Sequence, residues 1–295
     1  MHHVTYDEFS YFHENLQEWG LEVVVPNVRR FFVAVDGLRQ VSGLRWGEGS
    51  IELTLLHGGG QNAHTFDTVA LALQRPLAAI DLPHHGHSDA SPRGGSDSSS
   101  HALDVERVMG QLLDGPRPLV GMSLGGLVGI LVAHARPDLV SSLVLVDITP
   151  GVNADKARHV TDFVNGPASF PDFDALLERT IAHNPTRSVS SLRRGILHNA
   201  VQIPDGTWVW RHQRHPHSQL VATPVEDRWA RLGELTMPVT LVRAMGAGSV
   251  VDDADEAEFR RLVPHGAVVR VEGAGHSVQG DAPLALAAIL NEYCV

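Results

Sequence analysis

The strongest constraint on the fold is an alternation that runs through most of the chain. Short apolar runs at residues 51–56, 77–82, 119–122 and 143–148 each end in Gly, Pro or polar residues, and helix-like stretches at 65–74, 102–113 and 124–135 lie between them. A strand that is apolar at nearly every position needs cover on both faces, and intervening helices supply it. The expectation is an α/β protein with a mainly parallel sheet of eight strands flanked by helices. The alternation resumes with a strand at 239–242, a helix near 254–262, a strand at 268–272 and a final helix at 283–293. Ahead of it, residues 29–46 hold two β-rich runs split by Asp36-Gly37, the pattern of a hairpin. Residues 5–19 predict a short amphipathic helix, with a Thr5-x-x-Glu8 capping box and Phe9, Phe12 and Leu16 at helical spacing. It is assigned to packing.

The alternation is interrupted over 152–234. This interval is rich in Arg, His, Pro and aromatic residues, among them Phe163, Phe170, Phe173, Trp208, Trp210 and Trp229. It is expected to be a helical cap, inserted between a first core part at 1–151 and a second at 235–295, over the carboxyl edge of the sheet where open α/β folds bind ligands. Residues 96–100, after Pro92-Arg93-Gly94-Gly95, are expected to form a loop.

Composition narrows the partners. The net charge is -11, and all but one of the 23 Lys and Arg are Arg, scattered instead of gathered into a run that tracks a phosphate backbone. Nucleic acid is not expected as a partner. The single cysteine, Cys294, allows no internal disulfide, and no run approaches the roughly 20 apolar residues of a membrane span or the layout of a secretory signal. A cytoplasmic location is the expectation.

The sharpest motif is Gly121-Met122-Ser123-Leu124-Gly125, set directly after the strand Leu119-Val120 and directly before an apolar helix. A serine between strand and helix sits on a tight, strained turn, so its neighbours must be small, and Gly121, Gly125 and Gly126 meet that need. Its hydroxyl then stands above the sheet, and the helix N-terminus favours developing negative charge. A plain N-cap serine in a glycine-rich turn is the alternative.

With this motif the chain resembles the α/β-hydrolase superfamily, in its capped serine branch of esterases, carbon–carbon hydrolases and haloperoxidase-like proteins. Four further segments carry the resemblance. Leu55-Leu56-His57-Gly58-Gly59-Gly60 resembles the oxyanion loop after the third strand. Asp81-Leu82-Pro83-His84-His85-Gly86-His87-Ser88 resembles the loop after the fourth, with His84 in place of a glycine. Leu145-Val146-Asp147-Ile148-Thr149-Pro150 resembles the end of the sixth strand, and Glu272-Gly273-Ala274-Gly275-His276 the loop that bears the base.

The resemblance implies Ser123 as nucleophile, His276 as base, and the N–H groups of Gly59 and Leu124 as oxyanion donors. The acid departs from the commonest pattern, because the loop after the seventh strand, 243–251, holds no carboxylate. Asp147, at the end of the sixth strand, is the expected acid, while Asp252 and Asp253 are read as first-turn acids of the next helix. Asp147 as a turn cap at Thr149-Pro150-Gly151 is the plainer alternative. No cofactor is implied. His85-Gly86-His87-Ser88-Asp89 also resembles the start of a metallo-β-lactamase-like metal loop, but Ala90 stands where the last histidine is needed, and His85 is read as a structural histidine of the neighbouring loop.

The expected activity is hydrolysis of a carboxylic ester, lactone or thioester. Three alternatives remain: hydrolysis of a carbon–carbon bond beside a ketone, a non-catalytic ligand-binding protein, and a metal-dependent hydrolase at His85 and His87. The substrate is expected to be a small molecule with an apolar or ring-bearing group, and Arg193, Arg194, Arg211 and Arg214 are candidates to hold an acidic one.

Overall fold

The computed structural model describes residues 6–91, 98–153, 155–212 and 224–295. Thr5 of the capping box, Arg214 and residues 92–97, which include the start of the expected loop, fall outside them. Helix α1 (Phe12–Trp19) starts four residues beyond Glu8 and stops at Gly20, whose φ of 60° ends it in a left-handed turn. The expected helix from residue 5 is thus shorter, and Glu8 serves an ion pair with Arg30 instead of a cap.

Strands β1 (Val28–Ala34) and β2 (Gln40–Trp46) form the antiparallel hairpin, with Asp36 Oδ1 accepting the N–H groups of Leu38 and Arg39 to close the turn. Then follow β3 (Leu53–Leu56), a 3-10 turn (Ala63–Phe66), α2 (Asp67–Leu73), β4 (Leu77–Ile80), α3 (Ser98–Leu112), β5 (Arg117–Met122), α4 (Leu124–Ala135) and β6 (Val140–Val146). Ser98 to Ser100, expected in a loop, form the first turn of α3.

The insertion carries α5 (Arg158–Val164), β7 (Ser169–Phe170), α6 (Phe173–His183), α7 (Val189–Asn199), β8 (Ala200–Gln202), β9 (Trp208–Trp210) and α8 (Val225–Gly233). It is not purely helical. Its three short strands form an antiparallel sheet in the order β7-β9-β8, and Phe170, Leu176, Ile196, Leu197 and Trp208 close over it as a separate core. The chain ends with β10 (Val239–Ala244), α9 (Asp253–Leu262), β11 (Ala267–Val271), α10 (Val278–Asp281) and α11 (Pro283–Tyr293).

The main sheet has eight strands in the order β1-β2-β4-β3-β5-β6-β10-β11. All pairs from β4 to β11 are parallel, and only the pairs that β2 makes with β1 and β4 are antiparallel. Strands β3 and β4 are buried at every position, as a four-residue apolar run between two helical layers must be. One layer packs α3, α4, α8 and α9; the other packs α1, α2 and α11. Among the described residues, no helix is long and apolar enough to cross a membrane.

Candidate active site

Because the central strands are parallel, their carboxyl ends lie along one edge, and the loops after β3, β4, β5, β6 and β11 meet there. Each residue singled out from the resemblance sits in one of these loops or at a strand end. After β5 the chain turns at Ser123, with φ 51° and ψ -119°, and α4 begins at the next residue. A Cβ on Gly121 would stand 2.3 Å from the Gly125 carbonyl oxygen, and one on Gly125 would stand 2.3 Å from that of Leu56. The glycines are demanded by this close approach of α4 to the sheet. The strained φ at Ser123, worth about 1–2 kcal/mol for a residue with a Cβ, is held by the packing around it.

Ser123, His276 and Asp147 form one hydrogen-bonded chain. His276 Nε2 lies 3.0 Å from Ser123 Oγ, and His276 Nδ1 lies 2.9 Å from Asp147 Oδ2. Asp147 is fully buried, at φ 46°. Its Oδ1 accepts from the Ala244 N–H at 3.0 Å and from Ser249 Oγ at 2.7 Å, and its Oδ2 accepts also from the Val250 N–H at 3.1 Å. Four donors thus compensate a carboxylate that would otherwise be costly to bury. Since a carboxylate only accepts, His276 carries its proton on Nδ1 and leaves Nε2 free to accept from Ser123. Ser249 was passed over in the sequence, yet it lies in the very loop that lacks a carboxylate and reaches back to the one on β6.

Asp252 and Asp253 are engaged elsewhere. Asp252 caps α9 in a reciprocal capping box with Asp255 and pairs with Lys156 at 2.8 Å, and Asp253 pairs with Arg243 at 2.8 Å. Asp252 is therefore the N-cap, one position before the first turn.

The glycine loop after β3 lies against the serine: a Cβ on Gly58 would come within 3.2 Å of Ser123 Cβ. The Gly58 N–H is taken by Gln61 Oε1 at 3.1 Å and the Gly60 N–H by His85 Nε2 at 3.0 Å. Among the described residues, the N–H groups of Gly59 and Leu124 donate to no protein acceptor. Gln279, just past His276, donates to Gln61 Oε1 at 3.3 Å and so links the histidine segment to the glycine loop. Neither glutamine belongs to a motif; each is identifiable only from what it touches.

His85 donates from Nδ1 to the Pro83 carbonyl at 2.9 Å while accepting at Nε2, so both ring nitrogens are committed to loop geometry. Burial, with His57 close by, keeps it well below the usual imidazole range. His57, buried beside it, is pushed down to about 4. His84 occupies the family's glycine position at a left-handed φ of 67°.

A different group of possible metal ligands comes together on the cavity wall, where atoms of His64, Asp67 and His198 lie within 4.8 Å of one another. The His64 and His198 rings are stacked 3.8 Å apart and 11° from parallel. Both ring nitrogens of His64 already face carboxylates, Nδ1 that of Asp67 at 2.9 Å and Nε2 that of Glu8 at 3.2 Å. Against the pull of burial, the carboxylates of Asp67 and Glu8 hold His64 up to about 9, and the cluster reads as an ion pair.

A cavity of about 710 Å³ opens over Ser123 and His276, with the insertion forming its far wall. Of the six aromatics singled out there, Phe163 and Trp210 line it. Phe170 and Trp208 are buried in the insertion's own core, against which Phe173 packs, and Trp229 packs on the main core. Arg193 and Arg211 are not among the lining residues; they lie over the rings of Tyr11 and Tyr6. Arg194 lines the cavity but is bound to Glu18 and Ser190.

An eight-stranded, mostly parallel sheet with a serine on a strand–turn–helix elbow at its carboxyl edge defines a class, and the chain belongs to it: the alpha/beta hydrolase family, whose model matches residues 55–289. Within that class, the chain is 40% identical to esterase Rv0045c of Mycobacterium tuberculosis over 292 residues, covering 97% of this chain and 95% of that one. The crystal structure of that esterase superposes with a TM-score of 0.86 at 38% identity, over 99% of each chain. The sn-1-specific diacylglycerol lipase ABHD11 of Mus musculus is 30% identical over 247 residues, covering 78% of this chain and 76% of the lipase.

Proposed function

We propose that this protein hydrolyses carboxylic esters of small molecules through an acyl-enzyme, with Ser123 as nucleophile, His276 as general base and acid, and Asp147 as the orienting acid. The observation that carries the reading is the continuous hydrogen-bonded chain from Ser123 Oγ through both nitrogens of His276 to a buried Asp147, open to a cavity on the serine side. Likeness to an esterase over nearly the whole chain supports the same bond class.

The steps follow from the proton positions. His276 Nε2 takes the Ser123 proton as Oγ attacks the ester carbon, and Asp147 stabilises the imidazolium that results. The carbonyl oxygen gains charge as it becomes tetrahedral, and the unengaged N–H groups of Gly59 and Leu124 are assigned to receive it, each worth about 3 kcal/mol to the transition state. Collapse expels the alcohol, protonated by His276. Water then enters, His276 removes its proton, and attack on the acyl-serine returns Ser123 and releases the acid. Residues 152–234 act in this reading as the cap that walls the cavity and excludes bulk water.

The test is covalent. A fluorophosphonate should label the chain once, on Ser123, and Ser123→Ala should abolish both labelling and turnover of p-nitrophenyl esters while leaving the fold intact. Turnover within about tenfold of the parent in that variant would sink the reading.

A further inference from the structure

The cavity holds one arginine whose hydrogen-bonding capacity is largely unused. Arg187, between α6 and α7, lines the same cavity as Ser123 and His276, with its side chain 24% exposed. Its Nη2 donates to Ser191 Oγ at 2.7 Å. Its Nε is buried without a partner, and the nearest carboxylate oxygen, Asp281 Oδ1, stands 3.9 Å away, beyond hydrogen-bond reach. The other oxygen of Asp281 is taken by the Gly275 N–H at 2.9 Å, which ties that carboxylate to the segment bearing His276.

The guanidinium packs against that same segment. A Cβ at Gly280 would fall 2.7 Å from Arg187 Cζ, so only a residue without a side chain lets the cation rest there. Other arginines of the insertion are engaged: Arg194 with Glu18, Arg193 with Glu14, and Arg179 with backbone carbonyls and the Phe163 ring. A largely buried guanidinium with N–H groups unpaired recovers the most of its lost hydration energy by meeting an anion. Burial lowers the Arg187 pKa and raises that of Asp281, so the two do not fully compensate each other, which agrees with the 3.9 Å gap.

We propose that Arg187 is a specificity-determining residue that binds a carboxylate on the substrate, so that the preferred substrates are half-esters: one end an ester presented to Ser123, the other a free carboxylate held by Arg187. A carboxylate fits better than a phosphate dianion because one cation is available and Asp281 stands close behind it. The inference rests on the ester-hydrolase reading above.

The experiment has two arms, so that the two ideas fail separately. In the first, turnover of monomethyl glutarate, adipate and suberate is compared with methyl esters of the matching uncharged acids, in the parent, Arg187→Lys and Arg187→Gln. The parent should favour the half-ester of the best length, and Arg187→Gln should reduce that preference by about 30-fold or more, chiefly through KM, with Arg187→Lys between. In the second, calorimetry follows glutarate, adipate and suberate binding to Ser123→Ala with and without Arg187→Gln, and the added change should weaken binding by about 30-fold. A parent that prefers the uncharged ester at every length, equal losses on both ester types, or dicarboxylate binding that ignores Arg187→Gln overturns the inference. Dicarboxylate binding that depends on Arg187, together with no turnover of any ester, keeps the carboxylate site and removes the esterase reading. Arg187→Lys, which preserves charge and bulk, serves should Arg187→Gln not fold.

Discussion

Replacing Asp147 by Asn isolates what the buried carboxylate does, because shape is kept and only charge and acceptor capacity change. Its two oxygens accept from four donors, Ala244 N and Ser249 Oγ on Oδ1, Val250 N and His276 Nδ1 on Oδ2. An amide has one oxygen to give. With its NH2 toward Oδ2, it opposes the Val250 N–H and turns His276 to the other tautomer, whose Nε2–H can no longer take the serine proton. With its NH2 toward Oδ1, Ser249 rotates to accept, the Ala244 N–H is orphaned, and His276 keeps its tautomer but loses the charge that stabilises its imidazolium. Either way one buried backbone N–H loses its acceptor, a loss of about 1–3 kcal/mol in stability. Turnover should fall by roughly a thousandfold to ten-thousandfold, with substrate affinity little changed. Pre-steady-state acylation with a p-nitrophenyl ester and urea unfolding measure the two effects. Asp252→Asn and Asp253→Asn, which alter the α9 cap and the ion pairs to Lys156 and Arg243, away from the serine and histidine, should be near neutral in turnover. An active Asp147→Asn beside an inactive change at Asp252 or Asp253 would refute the reasoning and move the acid to the loop after β10.

Three other predictions concern the frame of the site. Since both nitrogens of His85 are committed, activity should survive exhaustive chelation by EDTA and o-phenanthroline; loss that zinc or manganese restores would revive a metal at His85 and His87. Gly125→Ala should destabilise by about 3 kcal/mol in urea and disable the elbow, because its Cβ would meet a carbonyl 2.3 Å away; a change under about 0.5 kcal/mol would contradict that. Stability should fall on both sides of neutrality. Despite burial, Arg30 and Ser42 hold Asp81 at about 2, so its contribution, about 2 kcal/mol, is full above the ordinary 3.8 and lost as pH falls through 2. Burial holds His57 at about 4, and its contribution, full above 6.5, is lost as pH falls through 4. His64, raised to about 9, contributes fully below 6.5 and loses that contribution as pH rises through 9. Urea midpoints across pH should trace both limbs, and Asp81→Asn should flatten the acid one; an unaltered acid limb in that variant counts against the Arg30–Asp81 pair.

What the sequence by itself determined was mostly local in origin, helix starts such as Phe12 and Ser98 excepted. Apolar runs of four to six residues bounded by Gly, Pro or polar residues are too short for buried helices and fit strands covered on both sides, so the order of strands and helices was legible, and Gly121, Gly125 and Gly126 around Ser123 announced a close backbone approach. The hairpin at Asp36-Gly37 and the final helix from Pro283 were equally readable, because turn and cap chemistry acts within a few residues. Tertiary structure decided what depends on residues far apart. That Asp147 meets a histidine 129 positions later, and that Ser249 completes its hydrogen bonds, follows from β6, β10 and β11 lying side by side. The small sheet of the insertion left no trace because strands of two or three residues carry no periodicity. Arg187 looked like any other arginine of the insertion, since no local pattern tells a solvated side chain from one laid against Gly280 in a cavity; the difference is made by burial, and burial is a property of the packed chain.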